Sequence, residues 1–261
     1  MKKLKAKILE NKEIGPDYFL MDIDSEYIVS HYRPGQFIHV RIESKAPRPF
    51  LRRPFSIHSI INGDSFQILY KIIGPGTKIL SSYKKGKNLD ILGPLGNGFE
   101  IDPEKNSLLV AGGMGVAPLF SLAQYIKKTD FPVETFSFLG ARSKNNLLLE
   151  TEFRQMGIKV LVCTEDGTHG KKGLVIQLLQ GFLEQSPSFR KTSIIFGCGP
   201  NSMLKALIKL AKNLNMDCQV SVEEIFACGV GACLGCAVNT RHGYKMACKD
   251  GPVFRGDEII L

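Results

Sequence analysis

The sequence predicts a β plus α/β fold that ends in a small cysteine-rich module. Three observations lead to this prediction. Short strands separated by turns fill residues 1–102, and strands alternate with helices over 103–222. Four of the seven cysteines then fall between residues 228 and 248. We therefore predict an antiparallel β-barrel, then a parallel sheet flanked by helices, and then a separate module over 223–261.

Composition narrows the classes of function. With 261 residues, 44% of them hydrophobic, the chain can form two compact domains and a small module. The net charge is +9, but the basic residues are scattered in twos and threes, so we expect no nucleic-acid binding. The N-terminus lacks an apolar segment after its lysines, and glycines and Pro118 interrupt the uncharged stretch 106–126. We therefore expect no signal peptide, no membrane contact and a cytoplasmic location.

The first part carries six candidate strands, several of which alternate apolar and polar side chains, as 37–42 does. Strands spaced so closely predict a small antiparallel barrel. The candidate strands are 4–9, 18–23, 37–42, 55–61, 66–72 and 89–92.

Two motifs in this part can bind a phosphorylated cofactor. In the stretch RRPFS at 52–56, an arginine fork can neutralise a pyrophosphate and Ser56 can hydrogen-bond a flavin ring. Taken alone it is weak evidence, because Arg-Pro turns are common on surfaces. Farther on, Gly76 and Thr77 begin a short helical run, and the free N–H groups of a helix start favour a phosphate.

The second part alternates strands and helices, which predicts a parallel sheet that binds a nucleotide at the carboxyl ends of its strands. Gly113, Gly115 and Pro118 form a G-x-G-x-x-P turn after its first strand. Such glycines let the backbone approach a diphosphate, although a tight turn alone explains them too. Cys198 follows a later strand, where it is either beside a nicotinamide or a small buried core residue.

The cysteines of the third part have the spacing of a metal centre. Cys228, Cys233 and Cys236 form a Cys-x4-Cys-x2-Cys run, and eleven residues separate Cys236 from Cys248. This is the ligand spacing of a plant-type 2Fe-2S cluster. A four-cysteine zinc site usually shows two Cys-x2-Cys pairs, so the spacing favours the cluster. The odd cysteine count argues against a disulfide framework.

The order of these motifs resembles the ferredoxin-reductase superfamily. Within it, the chain is most similar to the electron transfer subunits of dihydroorotate dehydrogenase B, and the resemblance runs nearly end to end. The stretches that carry it are RRPFSI, YKIIGPGT, GPLGNGF, GGMGVAPL, CGPNSMLKAL, EEIFACGVGACLGCAV and CKDGPVF.

The resemblance implies an FAD-binding barrel over 1–102, a Rossmann-like NAD-binding domain over 103–222 and a 2Fe-2S module over 223–261. Many members of the superfamily have Tyr where this chain has Phe55, so a tyrosyl hydroxyl contact to the flavin is absent. The implied FAD residues are Arg53, Pro54, Phe55, Ser56, Tyr70, Lys71, Ile72, Gly76 and Thr77. The implied NAD residues are Gly113, Gly115, Pro118 and Cys198, and the cluster ligands are Cys228, Cys233, Cys236 and Cys248.

The coenzyme choice stays open at this point. NAD is what the resemblance implies, but Arg142, Ser143 and Lys144 follow the second strand of the nucleotide domain. Basic groups there either accept the 2′-phosphate of NADP or form an ordinary solvated loop.

The resemblance also implies a reaction and a partner. A separate catalytic subunit that carries FMN oxidises dihydroorotate to orotate in pyrimidine biosynthesis, and this chain passes the electrons through 2Fe-2S and FAD to NAD. We expect no catalytic base here, and a heterotetramer of two copies of each subunit in which the face around 228–236 meets the partner. The alternatives are the small subunit of an NAD(P)H:ferredoxin or sulfide oxidoreductase, of a hydrogenase or of a sulfite reductase, and a zinc-stabilised nucleotide-binding module without redox function. Some ferredoxin oxidoreductases have an acidic residue at the first ligand position, so Cys228 argues against that branch.

Overall fold

The computed structural model describes residues 1–43, 50–129 and 131–261. Its first sheet is antiparallel and has the strand order β4-β3-β7-β1-β2-β6-β5. Its elements are β1 (Lys2–Gly15), β2 (Tyr18–Asp24), α1 (Glu26–His31), β3 (Phe37–Arg41), β4 (Arg53–Ser56), β5 (Ser59–Asn62), β6 (Ser65–Lys71), α2 (Pro75–Ser81) and β7 (Asn88–Leu95).

The prediction of one strand over 55–61 is wrong, because this stretch contributes to two strands. β4 pairs with β3 and β5 pairs with β6, so the two strands lie at opposite edges of the sheet. The chain crosses between these edges within the two residues Ile57 and His58. The sheet must therefore curl, and Phe55 on β4 reaches Tyr70 on β6 with ring centroids 5.7 Å apart.

The two faces of strand β3 contribute side chains to two different cores. Side chains alternate between the two faces of a strand. Ile38 and Val40 are completely buried in the barrel core, whereas Phe37 belongs to the core shared by the nucleotide domain and the C-terminal segment. His39 lies on the same face as Phe37. The outer face of β3 is thus covered by the rest of the chain.

The second sheet has the order β11-β10-β9-β8-β12-β13-β16, and its first six strands are parallel, as the sequence predicts. Helices of the intervening segments pack on it, which buries most of its strand residues. Its elements are β8 (Asn106–Gly112), α3 (Val116–Lys128), β9 (Thr135–Ala141), α4 (Glu150–Gln155), β10 (Lys159–Thr164), β11 (Lys171–Lys172), α5 (Val175–Gln185), α6 (Phe189–Thr192), β12 (Ser193–Cys198), α7 (Asn201–Asn213) and β13 (Asp217–Ser221).

The C-terminal segment adds β14 (Ala237–Thr240), β15 (Gly243–Met246), β16 (Val253–Arg255) and β17 (Ile259–Ile260). Strands β15, β14 and β17 form a small third sheet. Strand β16, in contrast, pairs antiparallel with β13 and extends the nucleotide-domain sheet. The predicted boundary near residue 222 therefore separates two stretches of chain that share one core.

Hydrogen bonds also attach the C-terminal segment to the barrel. Asn97, which follows β7, donates from its backbone to Gly251 O and from its side chain to Asp250 O, at 2.5 and 2.9 Å. Among the described residues, the structure contains no helix with the length and apolar character needed to cross a membrane.

Candidate cofactor sites

A cavity of about 340 Å³ lies between the barrel and the nucleotide domain. It brings together residues that the sequence assigned to two different cofactors. Cys198, at the end of β12, faces the barrel residues that were assigned to FAD. Of the predicted residues, those that line the cavity are Arg53, Pro54, Phe55, Ser56, Tyr70, Lys71, Thr77 and Cys198.

Among the residues predicted to bind FAD or NAD, five do not line this cavity: Ile72, Gly76, Gly113, Gly115 and Pro118. Gly76 supports the cavity indirectly, because a β-carbon there would lie 3.2 Å from Nε of Arg53. The absent side chain therefore leaves room for the guanidinium. The backbone N–H of Ile72 donates to Asp17 O at 2.9 Å, which joins the end of β6 to the start of β2.

The two arginines of the RRPFS stretch have different surroundings. Arg52 donates to Asp90 Oδ1 at 2.7 Å and to the carbonyls of Asp90 and His39. These hydrogen bonds connect the start of β4 to β7, and they use the N–H donors of the Arg52 guanidinium. Arg53 lines the cavity and, within the described ranges, its hydrogen bonds go to neighbouring backbone carbonyls, at 2.6 Å for Leu51 O. Its charge thus remains available to an anionic ligand.

The hydroxyl of Thr77 shapes its own turn. Its Oγ1 accepts from the backbone N–H of Ile73 at 3.0 Å and of Gly74 at 3.3 Å. This bonding holds the loop before α2 in place. The predicted contact with a diphosphate thus depends more on Arg53 and on the backbone of the turn than on this hydroxyl.

The barrel wall of the cavity is aromatic and rigid. Tyr70 stacks on Phe19 at 5.5 Å, and its hydroxyl donates to Asn11 Oδ1 at 2.9 Å. Burial raises the pKa of Tyr70, so the phenol stays protonated. The ammonium of Lys71 lies 4.6 Å from the ring centroid of Tyr18, whose hydroxyl also accepts from Asn146 of the nucleotide domain at 3.5 Å. These contacts connect the two domains at the edge of the cavity.

The two glycine turns of the nucleotide domain pack against each other. Gly115 lies against the carbonyl of Cys198 so closely that a β-carbon has no room. Gly113 has a φ of +53°, a conformation that glycine adopts without strain, and no atom lies near the position of a β-carbon there. Pro118 is buried in α3, and its carbonyl accepts from Ser121 at 3.0 Å. The predicted NAD residues are therefore next to one another at the carboxyl ends of β8 and β12.

Cys198 is buried, as a core residue is, and it also lines the cavity; its position beside a nicotinamide stays a prediction. Burial raises the pKa of its thiol, and the nearby Glu223 carboxylate adds to the effect. Sequence reasoning missed Glu223, which also lines the cavity. Burial desolvates its carboxyl group and thereby raises the pKa of Glu223. Its position two residues after β13 could have revealed it, because ligands bind at the carboxyl ends of parallel strands.

All four cysteines of the C-terminal segment are free thiols. Cys236 and Cys248 are buried, Cys228 is half-buried and Cys233 is exposed. Backbone N–H groups point at their sulfurs: Val230 at Cys228 (3.4 Å), Gly231 at Cys248 (3.1 Å) and Cys248 at Cys236 (3.4 Å). Positive φ angles at Gly229 and Gly231 produce the tight loop that the spacing predicts.

The thiols lie as two neighbouring pairs, Cys228 with Cys233 and Cys236 with Cys248. Among the described residues, no three metal-binding side chains are close enough to one another to coordinate one ion. Desolvation raises the pKa of Cys228, but the backbone N–H groups of Val230 and Cys233 outweigh this effect and lower the pKa to about 6. Burial raises the pKa of Cys248 to about 12. Four unbridged thiols with N–H groups directed at them are the donor set of a 2Fe-2S cluster, so these residues fit that group.

Comparison with known proteins agrees with this geometry. The family model for the iron-sulfur cluster binding domain of dihydroorotate dehydrogenase B matches residues 223–260, and the oxidoreductase NAD-binding domain matches 109–209. The electron transfer subunit of dihydroorotate dehydrogenase B (NAD(+)) from Caldanaerobacter subterraneus subsp. tengcongensis is 39% identical over 99% of both chains. The chain belongs to this family of electron transfer subunits. The subunit from Desulforamulus reducens is 37% identical over 98% of this chain and 97% of its own.

A solved structure of an NADH-dependent reduced ferredoxin-NADP oxidoreductase, described in a study of flavin-based electron bifurcation, is also similar. It superposes with a TM-score of 0.85 at 32% identity, over 98% of this chain and 89% of that chain. The predicted family, the fold of barrel, nucleotide domain and iron–sulfur module, and the cofactor set of FAD, 2Fe-2S and NAD are thereby confirmed. The roles of individual residues stay predictions.

Proposed function

We propose that this chain carries electrons from an FMN-containing dihydroorotate dehydrogenase subunit, through a 2Fe-2S cluster and FAD, to NAD+ in pyrimidine biosynthesis. One observation carries the proposal. The cavity joins the predicted flavin residues to Cys198 of the nucleotide domain, and its Phe226 wall lies two residues before Cys228. The three predicted sites therefore adjoin one another in the order that electron transfer requires.

The residues of this chain position the carriers and exclude water. When bound, FAD exchanges a hydride with nicotinamide and single electrons with an iron–sulfur cluster. Arg53 neutralises the diphosphate, and Phe55 and Tyr70 form an apolar wall for the ring. Cys198, which stays a protonated thiol, and Glu223 line the cavity and would contact the nicotinamide. Cys228, Cys233, Cys236 and Cys248 hold the cluster, and no residue here abstracts a proton from dihydroorotate.

The stretch 225–236, which contains Cys228, Cys233 and Cys236, supports docking of the catalytic subunit. Three large apolar side chains are exposed there: Ile225 (81%), Leu234 (63%) and Val230 (39%). They lie beside the exposed Cys233. Exposed apolar groups that cluster at one site mark a protein interface. We propose that this surface meets the FMN subunit in a heterotetramer of two copies of each chain, in the cytoplasm, where the seven free thiols stay reduced.

The functional division of the chain, and its coenzyme, belong to the same proposal. We assign FAD to residues 1–102, NAD to 103–222 and the cluster to 223–261.

Arg142 and Lys144 are exposed, and the backbone of Asp166 donates to Arg142 O at 3.2 Å. We propose NAD as the coenzyme, because the electron transfer subunits to which the chain is similar are named for NAD(+).

A ferredoxin oxidoreductase subunit is the second candidate, because the solved structure at 32% identity is an oxidoreductase of that kind. A cysteine at the first ligand position, Cys228, supports the dihydroorotate assignment instead. The two candidates differ in the protein that donates electrons, so an experiment must include the partner.

The decisive experiment is an anaerobic visible spectrum of the purified chain, alone and with its presumed FMN partner, during titration with NADH and with dihydroorotate. We expect overlapping flavin and iron–sulfur bands. NADH should bleach them without the partner, and dihydroorotate should bleach them only with it. A colourless protein that contains zinc contradicts the redox function. A coloured protein that does not respond to dihydroorotate with the partner present favours the ferredoxin candidate.

A further inference from the structure

His39 is a completely buried histidine in β3. Neither Nδ1 nor Nε2 has a hydrogen-bond partner among the residues that the structure describes. Burying a polar group without a partner costs about 1–3 kcal/mol, so native proteins rarely keep one without a use for it. The cofactor-site residues discussed above do not include this side chain.

The imidazole faces the first turn of the cysteine loop. A β-carbon placed on Gly229 would lie 2.6 Å from Nδ1 and 2.9 Å from Cε1 of His39. Gly229 directly follows Cys228 and has a φ of +73°. The glycine is therefore needed at this position for two reasons, the turn itself and the space that the ring of His39 takes.

Aromatic residues place the same ring next to the flavin cavity. The ring centroid of His39 lies 5.6 Å from that of Phe37 and 6.2 Å from that of Phe226. Both phenylalanines line the cavity, and Pro54, the β4 partner of His39, lines it as well. His39 thus lies between the space assigned to FAD and the loop assigned to the cluster.

The ring can donate a hydrogen bond in any protonation state. Burial and the nearby Arg52 guanidinium lower the pKa of His39 to about 4, and the neutral ring keeps one N–H. Arg52 also donates to His39 O at 3.3 Å, which holds the backbone of β3 at this point. The donor is therefore fixed in place before any cofactor binds.

We propose that His39 is a positioning residue that donates an N–H hydrogen bond to the iron–sulfur group held by the cysteine loop and thereby raises its reduction potential. Hydrogen bonds to the sulfurs are among the factors that set cluster potentials. Reduction adds negative charge, and a nearby donor stabilises the reduced form more than the oxidised form. This inference rests on the proposed function, because it requires a cluster at Cys228, Cys233, Cys236 and Cys248.

The test compares His39→Leu and His39→Asn in the holoprotein with its partner. We expect the cluster potential, measured by a redox titration followed by EPR, to shift to more negative values in His39→Leu. Because Asn keeps an N–H near the Nδ1 position, its shift should be smaller. His58→Asn is the matched control. His58 is also buried, but its Nδ1 lies 3.3 Å from Ala117 O in α3 instead of facing the cysteine loop, so the potential should not change.

A second measurement gives its main result on the wild-type protein, so that result does not depend on whether a variant folds. Wild-type protein labelled with 15N-histidine should show a nitrogen coupling to the reduced cluster in pulsed EPR, and His39→Asn should lose it. An unchanged potential in His39→Leu at full iron content overturns the inference, as does a wild-type cluster without histidine coupling. A protein that binds no cluster overturns the proposed function instead, so the two failures can be distinguished.

Discussion

At the scale of single residues, we expect two adjacent arginines to have different roles, Arg53 in binding the cofactor and Arg52 in stabilising the fold. Arg53 lines the cavity with its charge available, so Arg53→Ala should remove the proposed charge-assisted hydrogen bond to FAD. Such a bond contributes about 1.5–3 kcal/mol, so we expect FAD affinity to fall about 10- to 100-fold. Titration of FAD into the deflavinated protein measures this. Arg53→Lys keeps the charge without the fork and should fall in between. Equal affinity in all three proteins contradicts the assignment.

Arg52→Ala should have the opposite effect. Arg52 and Asp90 form a pair at 2.7 Å, and both side chains are less than one-fifth exposed. Removing the arginine leaves a carboxylate and two carbonyls without their donor. We expect the free energy of unfolding in urea to drop by about 1–3 kcal/mol while the affinity for FAD stays within about threefold. Loss of flavin at wild-type stability would show instead that Arg52, and not Arg53, binds the cofactor.

At the scale of elements, the turn between β4 and β5 makes the barrel sensitive to acid. His58 in this turn stacks on Phe120 of α3 at 4.7 Å, and burial lowers its pKa to about 4 although the Ala117 carbonyl opposes the shift. The unfolded chain, with a histidine pKa of about 6.5, binds more protons between these values. Stability is therefore full above about pH 6.5 and falls as the pH approaches 4.

His58→Asn should flatten this dependence. We expect the difference in unfolding free energy between pH 7 and pH 4.5 to be smaller in the variant, by up to about 3 kcal/mol. Urea denaturation at several pH values measures it. His39 has a similarly lowered pKa, so part of the dependence should persist. An unchanged slope would mean that His58 is not the group that responds.

Helix α3 also closes the open edge of strand β5. The side chain of Gln124 accepts from Ile60 N at 2.9 Å and donates to Ile60 O at 2.8 Å, in the manner of a neighbouring strand. Gln124→Ala should cost about 1–2 kcal/mol and speed hydrogen exchange at Ile60. Gln124→Glu keeps the acceptor, so exchange at Ile60 should stay closer to wild type. Equal exchange in all three proteins would show that α3 does not protect the edge.

At the scale of the whole molecule, local patterns in the sequence predicted more than long-range pairing. The strand–helix alternation predicted the parallel sheet, and the cysteine spacing predicted the third part, because both are properties of short stretches. The split of 55–61 could not be predicted, since β4 and β5 have similar apolar composition and differ only in their distant partners. His39 has the pattern of a polar outward face in β3, but Gly229 of the C-terminal segment packs against its ring.

The pairing of β16 with β13 means that the C-terminal segment is part of the fold. Phe226 and Phe254 from this segment share a core with Leu207 and Val220 of the nucleotide domain. A chain cut after residue 222 would expose that core and the edge of β13, so we expect it to aggregate or to melt well below the full chain. Removal of iron by a chelator from the full chain should leave the FAD domain folded, because the barrel core contains none of the four cysteines of the C-terminal segment. Circular dichroism melts and flavin content measure both. A soluble 1–222 fragment that melts like the full chain and keeps FAD would show that the segment is a detachable module.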